Sequence, residues 1–174
     1  MSETDDKIVA YFNTFSLRAI QVVMAARYKA GQRGAKMIEV GDLVLGIVLE
    51  DNSMMGTLFS NIDEEQRTAS VFPIPSHPPF FPAETASELL TGIQNLLPQF
   101  EPIATTIEVP LSLGIVHVFD GAKEMESMFH HKQIHPLHLL AAVLTQDLGT
   151  LGKLLQEVGI TKELVVERLR TTEG

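Results

Sequence analysis

Laid on itself with a shift of 96 positions, the chain matches itself without a gap. Phe15 then meets Leu111, Ser16-Leu17 falls on Ser112-Leu113, Val22 on Val118 and Ala26 on Ala122. Further along, Lys36 and Ile38 fall on Lys132 and Ile134, and Leu43, Asp51, Gly56 and Leu58 on Leu139, Asp147, Gly152 and Leu154. Apolar character also persists where identity fails, at Ile20/Val116, Val23/Phe119, Val44/Leu140, Ile47/Val143, Val48/Leu144 and Phe59/Leu155. A few identities arise by chance, but the same apolar pattern without a gap does not readily do so. Such a repeat is one supersecondary unit used twice, each copy burying its apolar face against a neighbour.

Each copy reads as a string of helices. Ser16 is a natural N-cap, because its hydroxyl can accept from an orphan N–H of the first turn. Ala19, Val22, Val23, Ala26 and Ala30 follow at helical spacing, and Gly31 or Gly34 supplies a stop. Residues 40–49 are apolar almost all round, as in a short central helix covered on most sides. Residues 54–60 make a third helix, and Asp63 caps a fourth running to Val71. In the second copy Ser112 caps a helix to about His130. Pro136 then stands at a first helical position that tolerates proline, and helices follow over 150–157 and 161–171. Residues 109–119, with Ile, Val and Phe around Gly114, read by propensity as a strand. The repeat aligns them with the stronger helix after Ser16, so helix is expected.

The copies, 15–71 and 111–171, are joined by a different kind of sequence. FPIPSHPPFFP (72–82) holds too many prolines for a helix and runs extended. Over 85–97, Leu89, Leu90, Ile93, Leu96 and Leu97 share one face of a separate amphipathic helix, and 98–110 returns to loop. Paired Phe80-Phe81 is either a docking segment or a strap on its own domain. We read a strap, because exposed paired phenylalanines promote association. The chain is thus expected to be a single all-α domain over 1–174.

Composition narrows the function. A net charge of −9 argues against nucleic acid and anionic membranes as partners, and the absence of cysteine removes thiolate chemistry and disulfides. The acidic start MSETDDKIVAYF lacks an export signal, which predicts a cytoplasmic protein. Asp5-Asp6 reads as a frayed terminus. No G-x-x-x-x-G-K-[ST] loop occurs, so no ATPase activity and no cofactor is expected. Ser16 and Ser112 are caps rather than nucleophiles, since no Gly-x-Ser-x-Gly elbow surrounds either.

The residues Phe15-Ser16-Leu17-x-Ala19, Gly34, Ile38 and Leu43-Val44-Leu45-Gly46-Ile47 resemble the tandem repeat of the Clp N-terminal domain of Clp-type ATPases. Ser112-Leu113 and Ile134-His135-Pro136-Leu137-His138-Leu139-Leu140 carry the same resemblance in the second copy. It implies a pseudo-twofold helical domain that docks adaptors and substrates. The family's usual glutamate is replaced by Gly41 and Leu137, and its histidine, kept as His138, is Asp42 in the first copy. The phosphoarginine binding of some members is therefore not carried over. The acidic start and the last helix, ending near Thr172, are expected of a complete short protein without the motor.

The resemblance implies a groove between the first helices of the two copies, where Phe12, Val23 and Leu111 are the matching partner-binding positions. The expected function is a non-catalytic protein- or peptide-binding module, an adaptor, decoy or modulator of a Clp unfoldase–protease. A small-molecule receptor using the same groove is the alternative, and a metal-binding or hydrolytic protein the second. Metal would need His131, His135 and His138, whose spacing suits ligands on one helix. Pro136 interrupts that helix, so a solvated turn and a packed His138 are the simpler account. Met24, Met54, Met55, Met125 and Met128 either fill core gaps or line an adaptable groove.

Overall fold

In the computed structural model, residues 3–59, 77–104 and 107–172 are described. Their regular structure is helical. Helix α1 spans Glu3–Phe12, α2 Leu17–Gln32 and α3 Val40–Asp51, followed by a short 3-10 helix at Met55–Phe59. Helix α4 spans Ala83–Leu96, α5 Leu113–Met128, α6 Pro136–Val143, α7 Thr150–Glu157 and α8 Lys162–Thr171. The fourth helix expected over 63–71, and residues 72–76 of the proline-rich stretch, lie outside the described residues.

The duplication is present at the level of single hydrogen bonds. Helices α2 and α5 each contain 16 residues, and both their ends stand in the repeat's register. Ser16 Oγ accepts the Ala19 N–H at 3.1 Å, and Ser112 Oγ accepts that of Ile115 at 3.4 Å. Left-handed backbone recurs at twin positions, Gly34 with His130 and Ser53 with Gly149. Two isolated parallel bridges, Phe15 to Ile134 and Ile38 to Leu111, cross between the copies. Ser16 N–H donates to Ile134 O at 2.9 Å, and Ile134 N–H to Thr14 O at 2.9 Å. In the twin bridge, Ser112 N–H donates to Ile38 O at 3.0 Å and Ile38 N–H to Pro110 O at 2.8 Å. Contact i-to-j mirrored by contact j-to-i is the mark of a twofold interface, here folded into one chain. The bridge at Leu111 is all the extended pairing that the β-rich stretch 109–119 makes. Packing of Ile115, Val118 and Phe119 in the core overrides its strand propensity.

Helix α1 departs from the sequence expectation, which left the start frayed. Ile8, Tyr11 and Phe12 share a helical face, and Glu3 and Asp6 stand in the first turn, where the helix dipole favours negative charge. Tyr11 and Phe12 meet Phe119 of α5 edge-on, at centroid distances of 5.6 and 6.2 Å. The Tyr11 hydroxyl donates to Asp120, which also pairs with Lys7 at 3.3 Å. This helix therefore ties the first copy to the second. The third helix of the first copy also differs, since residues 55–59 wind as 3-10 rather than α.

The link straps the first copy and also meets the second, where a Cβ on Gly92 would lie 2.8 Å from Leu154 and Arg168 stands 5.8 Å from the Phe80 ring. Phe81 is fully buried and Phe80 packs against the core. Their N–H groups donate to the two carboxylate oxygens of Asp51, at 2.8 and 2.9 Å. Burial raises the Asp51 pKa, and the two N–H groups oppose that shift by favouring the ionised form. Helix α4 buries Ala86, Leu89 and Ile93 and starts two residues before the expected boundary, directly after Pro82. The returning chain then closes over the end of α2. Phe100 N–H donates to Arg33 O at 2.7 Å, and Ile103 N–H to Gly31 O at 2.9 Å, partnering carbonyls at the helix end. It passes so close that a Cβ on Gly34 would lie 2.2 Å from Glu101 O.

Two stability predictions follow from the strap. Gly34→Ala adds left-handed strain to a collision with backbone and costs about 2–3 kcal/mol. At the twin position, His130→Gly changes stability by less than about 1 kcal/mol, because relieved strain offsets glycine's entropy. Urea unfolding of both variants checks this, and equal losses would refute the proposed role of the strap. Asp51→Ala strands two backbone donors and costs about 2–3 kcal/mol, whereas Asp51→Asn, which keeps an acceptor, costs about half as much.

Candidate docking surface

Phe12, Val23 and Leu111 do not line one open groove. Phe12 is half-buried, edge-on to Phe15 at 5.6 Å and to Phe119. Val23 is 9% exposed and belongs to the core. Leu111 is half-buried and its backbone forms the bridge to Ile38. The aromatic residues of α1 pack into this joint, and the sequence expectation had no helix there to place them.

The exposed apolar side chains lie elsewhere. Leu17 is 62% and Leu113 70% exposed, and the two are twins. Each is the first residue of a long helix, fixed by the capping serine before it and set off the buried face. The sequence shows both as markers of the repeat; the legible signal of their exposure is an apolar residue just after the cap, outside the Ala19–Val22–Val23–Ala26 stripe. Met24, Met37 and Met128 are also exposed, whereas Met55 and Met125 are buried, so the methionines divide between surface and core.

The ends of the central helices show how the copies diverged. In the first, Asp42 accepts the N–H of Glu39, the N-cap of α3, at 2.9 Å. Its carboxylate also receives Arg33 in two bonds, at 2.9 and 2.7 Å, fully buried. The bond to Asp42 raises the Arg33 pKa. Gly41, where the family pattern has glutamate, lies under the link: a Cβ there would come within 2.9 Å of a Leu97 methyl. In the second copy Leu137 occupies that position, half-buried against the core.

His138 replaces Asp42, and Phe129 stands where the first copy has Arg33. The N–H of His135, the N-cap of α6, donates to His138 Nδ1 at 2.8 Å. The ring's proton is therefore on Nε2, which lies 2.8 Å from His131 Nδ1 and donates to it. Burial first, then the neighbouring His131 and His135, push the His138 pKa down to about 3. His131, His135 and His138 thus do come together, with ring centroids 4.9–6.3 Å apart. They do not form the ligand set that their spacing raised as a possibility. Both nitrogens of His138 are committed, and no group of three potential ligands among the described residues could hold a metal.

A recess of about 150 Å³ lies beside the strap, lined by Lys29, Gln32, Arg33, Leu45, Gln94, Leu97 and Gln99. Desolvation lowers the Lys29 pKa there. No helix among the described residues is long and apolar enough to cross a membrane.

No family model matches the chain. In sequence it is 26% identical over 158 residues to the chloroplastic chaperone protein ClpD of Arabidopsis thaliana, covering 91% of this chain and 16% of that protein. It is 27% identical over 150 residues to the chloroplastic chaperone protein ClpD1 of rice, Oryza sativa subsp. japonica, covering 86% of this chain and 14% of the relative. The chain thus spans about one-sixth of the length of these relatives. In structure it matches the N-terminal domain of the Arabidopsis ClpD chaperone with a TM-score of 0.59 and 21% identity, over 92% of this chain and 97% of the other. A chain from a malarial protein secretion system matches with a TM-score of 0.66 and 16% identity, over 91% and 93% of the two chains. With ClpD chaperones as its relatives in sequence and the N-terminal domain of one as its neighbour in structure, this duplicated helical chain is similar to the N-terminal part of those chaperones and has the fold of a Clp N-terminal domain.

Proposed function

We propose that the chain is a non-catalytic module that docks proteins or peptides of a Clp unfoldase–protease system on apolar side chains repeated by its duplication. Leu17 and Leu113 are the outer anchors. Phe12 and Leu111, each close in sequence to one of them, form the half-buried floor, and Val23 is the packing beneath. The observation that carries this reading is the exposure of two leucines at twin positions while most other apolar twins are buried. Each leucine is presented by a rigid helix end, so little side-chain ordering opposes binding. Sequence similarity to ClpD chaperones supports the Clp association.

The mechanism is competition. The docking domain captures adaptors or substrates and withholds them from, or delivers them to, a Clp ATPase. A model client, unfolded carboxymethylated α-lactalbumin bearing a fluorophore, tests the surface by anisotropy. Burying one leucine contributes about 1.5–3 kcal/mol, so Leu17→Ala or Leu113→Ala weakens binding about tenfold and the double aspartate variant abolishes it. Both side chains are exposed, and the thermal unfolding midpoint is expected to stay within a few degrees. Undiminished binding by the double variant, or no binding by the parent chain, overturns the proposal.

A further inference from the structure

The two copies are latched to one another by the same backbone geometry and by different side-chain chemistry. At the Ile38–Leu111 bridge the adjoining helix end is held by Glu39, Asp42 and Arg33, a carboxylate–guanidinium arrangement. At the Phe15–Ile134 bridge the adjoining end is held by His135 and His138, with His131 behind them. His138 works only as a neutral ring, because Nδ1 must keep a lone pair for the His135 N–H and the proton on Nε2 must go to His131. A proton on Nδ1 opposes the His135 N–H. A proton on His131 Nδ1 opposes that on His138 Nε2.

Among the described residues, the charged groups that act on His135 and His138 give such a proton no compensation. Facing the trio from α2 is Arg18, whose charge, after burial and His131, lowers the His135 pKa. His77 of the link lies 2.8 Å from Arg18, and Glu50 of α3 receives two bonds from Arg18, so that carboxylate is already committed. His135 Nε2 is buried and has no hydrogen-bond partner. The first copy's latch is built from a carboxylate and a guanidinium and contains no imidazole.

We propose that the His131–His135–His138 cluster is an acid-sensitive latch, so that mild acidification frees the end of α6 and opens the Phe15–Ile134 bridge while its twin stays shut. The sign follows from the ring's environment. A histidine whose folded pKa is depressed stabilises the closed state above the unfolded value of 6.5, and that stability is lost as pH falls below it towards about 3. One such proton makes local opening roughly twentyfold more frequent at pH 5 than at pH 7. Partners that bridge the two copies would then be released in acid.

Amide hydrogen exchange of the intact chain, corrected for intrinsic rates, reads this directly because the molecule carries its own control. From pH 7 to pH 5, protection of Ser16 and Ile134 is expected to fall roughly twentyfold, and that of Ser112 and Ile38 to change less than about threefold. In His138→Asn, which keeps an acceptor for the cap but does not titrate in this range, the two bridges are expected to respond alike. Should that variant not fold, nitrogen chemical shifts of His138 in the parent chain decide instead. They are expected to report a neutral ring with its proton on Nε2 at pH 6. Equal acid responses at the two bridges in the parent chain, or a charged His138 at pH 6, would overturn the proposal.

Discussion

Two short backbone bridges set the architecture. Each joins the segment before a long helix in one copy to the segment before a central helix in the other, and each satisfies amides at a helix entry. Buried backbone groups must be paired, so a helix start brought into the interior needs such a partner. Here each copy partners the other. The capping serines, both long helices and both central helices take their places from these bridges, and the apolar faces that meet across them form one core. Each copy caps its own first turns, but the amides of Ser16, Ile38, Ser112 and Ile134 find their carbonyls in the other copy. One core built from two units follows from that requirement.

Much of this arrangement can be read from the residues. Ser16 and Ser112 mark the helix starts because each has an apolar periodic run behind it, and the gap-free shift fixes equal lengths for α2 and α5. The repeat also overrode the strand propensity of 109–119 correctly, since a twin position carries tertiary information that propensity lacks. Helix α1 was missed because it has no twin to reveal it, and its acidic first turn looks like a solvated terminus until Tyr11 and Phe12 find Phe119. The candidate site was less legible. Phe12, Val23 and Leu111 are the positions that match the groove implied by the resemblance, and their apolarity alone does not separate a docking side chain from a core one. Exposure depends on what α1 and the link cover, and both are non-local.

The link explains departures that looked like losses. Gly41 lacks the family pattern's carboxylate, and Leu97 occupies the space above it. Gly34 adopts left-handed backbone where its twin is a histidine, and Glu101 passes at a distance that excludes a Cβ. Together with Asp51, which holds Phe80 and Phe81, these residues shape the first copy to accept the strap. The divergence at 34, 41 and 51 is therefore the imprint of one extra segment.

That imprint bears on where a partner can bind. A surface derived from both copies must use positions that the strap leaves alike. The edges around 34 and 41 fail this test, since the link covers them on the first copy. The helix starts pass it: Leu17 and Leu113 keep the same residue, the same cap and comparable exposure. The bridge beside each start is the same in backbone and opposite in chemistry, with carboxylates at one and imidazoles at the other. A partner spanning both leucines thus depends on two joints of which only one is sensitive to mild acid, so affinity and its pH dependence can be tuned at separate residues.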